Sequence, residues 1–181
     1  VRIVLVLAGC AVLISALTIA GRSSSTYPVS DEAVIELSTL NALEGRQLLG
    51  PYSRYAWHHP GPALFYLLAP WYGASGGRST GQSAGAMTIN LAVLSLMAWV
   101  LYRRGDPVLA ATFAMLVVFY LRPLGDFVLS PWNAHAAVLP AACLIVVGAA
   151  VAAGGVAWLP VLALLSSFVV QTHIATLPLV A

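Results

Sequence analysis

Five runs of this chain, at 3–20, 84–102, 108–121, 134–153 and 156–174, contain no Asp, Glu, Lys or Arg. A helix rising 1.5 Å per residue needs about 20 apolar residues to cross the roughly 30 Å hydrocarbon core, and there a continuous apolar run satisfies its backbone as a helix. The third and fifth runs are short for this unless their flanks contribute. Composition points the same way: 60% of residues are hydrophobic and 8% charged, with mean hydropathy +0.90, against about 25% charged in an ordinary soluble domain. The sequence predicts an all-α fold, a polytopic transmembrane helical bundle forming one domain. A long extracytoplasmic first loop, 21–83, carries surface helices near 31–49 and 62–72. The apolar ending Leu177-Pro178-Leu179-Val180-Ala181 reads as the N-terminal portion of a longer polytopic protein.

Charge placement orients the bundle. Short cytoplasmic loops carry excess basic residues. If 62–72 lies at the interface, Arg2 and Arg103-Arg104 share the cytoplasmic side; if it spans, the arginine pair moves outside. The first arrangement agrees with the bias, although Arg22, Arg46, Arg54, Arg78 and Arg122 then lie outside. It places the chain in the cytoplasmic (inner) membrane as a multi-pass protein. The first loop, the 122–133 link and the region around His173 then face outward. All eight basic residues are Arg, scattered except for the 103–104 pair, which excludes a nucleic-acid surface. Cys10 and Cys143 each lie inside an apolar run, placed for neither a disulfide framework nor a metal site.

The first loop concentrates the groups capable of chemistry. Ser30 is placed as a helix N-cap, with Asp31 and Glu32 in the first turn and Gly50-Pro51 as a stop. Val34, Leu37, Leu40, Leu43 and Leu48 recur at helical intervals, the pattern of a helix lying on a membrane or protein surface. Two acids in a first turn are explained structurally by the helix macrodipole. The functional alternative makes one of them a general base for an acceptor hydroxyl, or a holder of a divalent cation, Mg or Mn, near a phosphate. Trp57-His58-His59 precede Pro60-Gly61-Pro62, a rigid stretch that fixes both imidazoles on an interfacial turn. They suit a lipid-linked phosphate better than a metal, for which no ligand spacing accompanies them. Asn133 and His135 mark the outer end of the fourth run, and Gln171 and His173 that of the fifth. Ionisable and polar groups at such depth usually face a bundle interior or a cavity, and these share one side with the first loop.

The order of these features resembles the class C polytopic glycosyltransferases. More narrowly, Gly50-Pro51-Tyr52-Ser53-Arg54-Tyr55-Ala56-Trp57-His58-His59-Pro60-Gly61-Pro62 with Phe65-Tyr66-Leu67-Leu68-Ala69-Pro70 is similar to bacterial membrane proteins grouped with the mannosyl- and arabinosyltransferase-like families. Pro131-Trp132-Asn133-Ala134-His135 and Val170-Gln171-Thr172-His173 resemble later elements of the same proteins. The resemblance implies transfer of a sugar from a polyprenyl-phosphate donor to a glycan, lipid or protein acceptor on the extracytoplasmic face. It implies Asp31 as general base, with Glu32 less favoured. Arg54, His58, His59, His135 and His173 would neutralise the leaving phosphate, with Trp57, Asn133 and Gln171 completing the substrate-binding set. A transporter or lipid-flippase fragment is the alternative from another class. A purely structural subunit is a third reading.

Overall fold

In a computed structural model, which describes residues 28–121 and 125–181, the chain is mostly helical. The predicted span 3–20, with Arg2, Cys10 and Arg22, lies outside the described residues, as does Arg122. The elements are α1 (Asp31–Leu43), a ribbon of β1 (Tyr52–Ser53) and β2 (Trp57–His58), α2 (Ala63–Ala74), α3 (Ser79–Arg104), α4 (Pro107–Leu121), α5 (Gly125–Leu129), α6 (Asn133–Ala136), α7 (Val138–Ala152) and α8 (Leu159–Thr172). Short 3-10 segments flank α8 at Val156–Trp158 and Ile174–Leu179. Among the described residues, two helical runs are long and apolar enough to cross a membrane, Ser79–Arg104 and Asn133–Ala152. Two shorter apolar helices, Pro107–Val117 and Val156–Thr172, accompany them.

Helix α3 organises the rest. Its C-terminal half packs with α7 and α8 around Val93, Met97, Val100, Cys143, Val147 and Val169, all buried. Helices α3 and α7 run the same way, so the C-terminal ends meet where Arg104 Nη2 donates to Ala150 O at 3.3 Å. Near the other end, Asn90 Nδ2 donates to Val128 O at 2.9 Å, and Asn133 Nδ2 to Thr172 O at 3.2 Å. The N-terminal third of α3 carries α2 and α1 on a second core that includes Ile35, Leu64, Phe65, Leu68 and Ala86.

That second core depends on small residues. The stretch 73–83, which closes the expected first loop, is helical from Ser79 onward. A Cβ at Gly81 would lie 2.5 Å from Trp71 O and 2.4 Å from Ser75 Oγ, and one at Gly85 would lie 2.8 Å from Leu68 Cδ2. Gly81 lets α2 and α3 approach more closely than any larger residue allows, whereas at Gly85 the nearest obstacle is the end of a side chain.

Helix α1 differs from its expected form at both ends. Ser30 sits at φ 55° and its hydroxyl makes no capping bond. The helix stops at Leu43, not near 49. Gly45 adopts φ 72°, Gly45 N–H reaches Ala42 O and Arg46 N–H reaches Asn41 O, which is a Schellman termination. The stripe of Val34, Leu37, Leu40 and Leu43 faces outward, each at least 39% exposed, while Ile35, Thr39 and Ala42 pack inward.

Glu36, which the sequence does not single out, is the clamp of this unit. Its carboxylate accepts from Tyr72 Oη at 3.1 Å and Ser79 Oγ at 2.6 Å, joining α1 to α2 and α3. One turn on, Gln82 Nε2 donates to the buried Thr39 Oγ1 at 3.0 Å.

Candidate functional site

The rigid turn expected at 57–62 is the returning half of a hairpin. Tyr52 pairs with His58 and Ser53 with Trp57 in antiparallel register. Its base is closed by Gly50 N–H to His59 O at 3.1 Å and His59 N–H to Pro51 O at 2.9 Å. Gly50 is required there, since a Cβ would meet His59 O at 2.5 Å and Gly61 O at 2.6 Å. Strands of two residues have no alternation to read, so the sequence shows the turn but not the ribbon.

The hairpin holds its two histidines in opposite tautomers. His58 Nδ1 lies 3.1 Å from Gly50 O; a carbonyl only accepts, so Nδ1 carries the proton and the exposed ring offers Nε2 as an acceptor. His59 Nδ1 instead accepts from Ile174 N–H at 3.0 Å, which leaves Nε2–H as its donor. His59 is only 5% exposed, with its ring 4.8 Å from Trp57 on one side and 4.8 Å from His173 on another. Burial, and then the neighbouring His173 and His58, hold its pKa below the ordinary 6.5.

That environment sets a pH dependence. The folded state resists the proton that the unfolded state takes up near 6.5, so the unfolded chain binds more protons as pH falls below that value. Stability is therefore full above about 6.5 and declines as pH drops toward the lower folded value. Protonation at Nδ1 also removes the acceptor for Ile174 N–H and places charge beside His173. We expect thermal stability to fall between pH 7.5 and 5.5 in the native protein. His59→Asn, which keeps an acceptor and loses the titration, is expected to flatten that profile; an unchanged slope would assign the acid sensitivity elsewhere.

The later segments meet the hairpin at this end. Gln171 lies against Gly61, where an added Cβ would be 2.3 Å from Oε1. Its Nε2 donates to Ser167 Oγ at 2.8 Å, one turn back in α8 and not across helices. Asn133 is buried and tied to Thr172 O. His135, two residues on from Asn133, instead lies against Phe127 and Trp132, at 3.9 and 4.6 Å between ring centroids. The structure thus gathers His59, Gln171 and His173, with Asn133 joined through Thr172. Arg54 and Trp57 are exposed on the hairpin. Asp31 and Glu32 are exposed at the start of α1, and their carboxylates make no hydrogen bond or ion pair with the described residues; no contact links them to the histidines.

Three residues that the sequence did not single out add polar groups to this end, Asn90 and Thr172 in the interior and Ser167 on the surface. Asn90 Oδ1 and Thr172 Oγ1 are buried without partners among the described residues, as is His135 Nδ1. An unpaired buried polar atom costs about 1–3 kcal/mol. Ser167, the third, lines a lateral groove of about 720 Å³ between α2, α3 and α8. The groove is walled by apolar residues including Leu67, Ile89, Leu96 and Leu164, with Thr88, Ser167 and Gln171 as its polar points. Among the described residues no group of three or more His, Cys, Asp or Glu is placed to hold a metal ion.

The chain matches no family model, no curated protein and no solved structure.

Proposed function

We propose that this chain belongs to a membrane glycosyltransferase that moves a sugar from a polyprenyl-phosphate donor to a glycan, lipid or protein acceptor. The reading places the polytopic bundle in the cytoplasmic membrane, with the loop 21–83 outside. The observation that carries it is the groove: an apolar trough of about 720 Å³ runs to Gln171, which abuts the hairpin bearing His59. A lipid tail in apolar walls with its phosphate among N–H donors requires this order of surfaces. His59 Nε2–H, the His173 imidazole and the exposed Arg54 would face the departing phosphate, and Asp31 would take the proton of the acceptor hydroxyl as it attacks the sugar C1.

Filling the groove tests this reading. Ala92 lines it and is exposed, so Ala92→Trp occupies the trough without entering a core. We expect retention of a polyprenyl-phosphate sugar to drop at least tenfold, with unfolding stability changed by no more than about 0.5 kcal/mol. Undiminished retention in a folded Ala92→Trp protein would remove the groove from substrate binding.

The lipid-transport reading finds no broken helix of the kind that frames transporter sites in the Asn133–Ala152 run, which stays in helical backbone through Ala137. It requires lipid translocation without sugar transfer in reconstituted vesicles, an outcome that separates the two.

A further inference from the structure

The opposite end of the bundle holds a second cavity. It has a volume of about 300 Å³ and is lined by Val100, Arg103, Arg104, Ala150, Gly155 and Trp158, among others. Its floor is small because the link from α7 to α8 is a tight turn: Gly154 is at φ 89°, and a Cβ on Gly155 would meet Ala150 O at 2.7 Å.

The two arginines have far more donors than partners. Arg104 uses one N–H on Ala150 O. Arg103 lies 5.7 Å over the Trp99 ring, a contact that uses the face of the guanidinium and leaves its N–H groups free. Neither has a carboxylate partner: among the described residues, the one ion pair joins Arg46 and Glu44. Asp106, the acid nearest in sequence, spends Oδ1 on the N–H groups of Val108 and Leu109 at 2.9 and 3.1 Å. Complementing the ends of α3 and α7 explains the Arg104 bond, but it leaves the cavity and the rest of both guanidinium forks unexplained.

We propose that this cavity binds the phosphodiester of an anionic phospholipid headgroup. Guanidinium forks match the paired oxygens of a phosphodiester. Trp158 lines the same cavity, and its indole N–H makes no hydrogen bond to the described residues. Trp99, Tyr102 and Trp158 cluster at this end, the position of aromatic residues at a membrane interface, which selects a lipid over a soluble phosphoester. Basic pockets between membrane helices take such headgroups. This inference rests on the membrane part of the proposed function and is independent of sugar transfer.

The test is native mass spectrometry of the intact protein released from phosphatidylcholine nanodiscs doped with phosphatidylglycerol. Retention of phosphatidylglycerol over phosphatidylcholine is expected. It should weaken about fivefold in Arg103→Gln and about 25-fold when Arg104→Gln is added. Arg103→Gln retains the Arg104 to Ala150 bond, so its thermal unfolding should match the native protein, and Arg78→Gln should retain lipid normally. An Asp31→Asn protein should bind the lipid unchanged, keeping failure here distinct from failure of the transferase reading. Equal retention of the two lipids, or equal retention by the folded Arg103→Gln and native proteins, would overturn the site. Displacement by millimolar glycerol phosphate would overturn its assignment to a lipid.

Discussion

Replacing Asp31 by asparagine is expected to cut sugar transfer at least about 100-fold in membranes containing the whole protein, while leaving its abundance and insertion intact. Positioned general bases contribute roughly 10²–10⁴ in rate, and asparagine keeps the shape of aspartate without its basicity. The structural alternative predicts a much smaller effect. A first-turn carboxylate contributes about 0.3–1 kcal/mol through the macrodipole, and Asp31 is exposed with no hydrogen-bond or ion-pair partner among the described residues. Loss of the charge alone therefore cannot unfold the chain. Glu32→Gln serves as the comparison, because it removes a neighbouring first-turn charge and is expected to spare most turnover. Normal transfer by Asp31→Asn would leave the residue a helix-start acid and nothing more.

The second large effect is structural. In Gly81→Val the new Cβ would sit 2.5 Å from a backbone carbonyl of α2 and 2.4 Å from Ser75 Oγ. The carbonyl of Trp71 already accepts from Ser75 N–H at 3.0 Å and cannot swing aside, so α2 must move off α3. That movement strains the bonds from Ser79 to Glu36 and from Gln82 to Thr39, which hold α1. Overpacking costs about 1–3 kcal/mol, and we expect this variant at or above the upper end. Gly85→Ala is the contrast: its nearest obstacle is the methyl end of Leu68 at 2.8 Å, with Leu68 Cα and Trp71 Cδ1 at 3.3 Å, so a side-chain end and not a carbonyl must give. Helix propensity favours alanine over glycine by about 1 kcal/mol, so that variant should be close to neutral. Chemical unfolding of both proteins checks the order; a stable Gly81→Val would mean that α2 and α3 do not meet at this seam.

Apolar runs are the most legible part of the chain because length and absence of charge act over many residues, and α3, α7 and α8 lie within or around the runs marked by that criterion. What the runs concealed was packing by small groups. The leucines of α1, the stripe of a helix lying on a membrane or protein surface, stay exposed, while the small and branched Ile35, Thr39 and Ala42, which the stripe does not mark, face inward. Gly45 carried a readable stop signal that the longer leucine pattern overrode. Of the candidate site, His59 was legible from its place before the rigid Pro60-Gly61-Pro62 stretch, and Asn133, Gln171 and His173 as polar groups at the ends of apolar segments. Thr172 was not, since its role as a buried anchor for Asn133 comes from a backbone carbonyl, which no residue type announces. Glu36 was hidden for a related reason: its partners Tyr72 and Ser79 lie far away in sequence.

At 26 residues, α3 is about 39 Å long, whereas the hydrocarbon core is about 30 Å thick. With α3 crossing upright, about six residues stand clear of the lipid, and Ser79 and Gln82, which grip α1, are among them. The altitude of Asp31 above the bilayer is then set by a rigid mast and not by a slack loop. Under the proposed function, catalytic output would then follow lipid chain length, since a thicker membrane submerges the crown of the mast and a thinner one lifts it away from a lipid-borne donor.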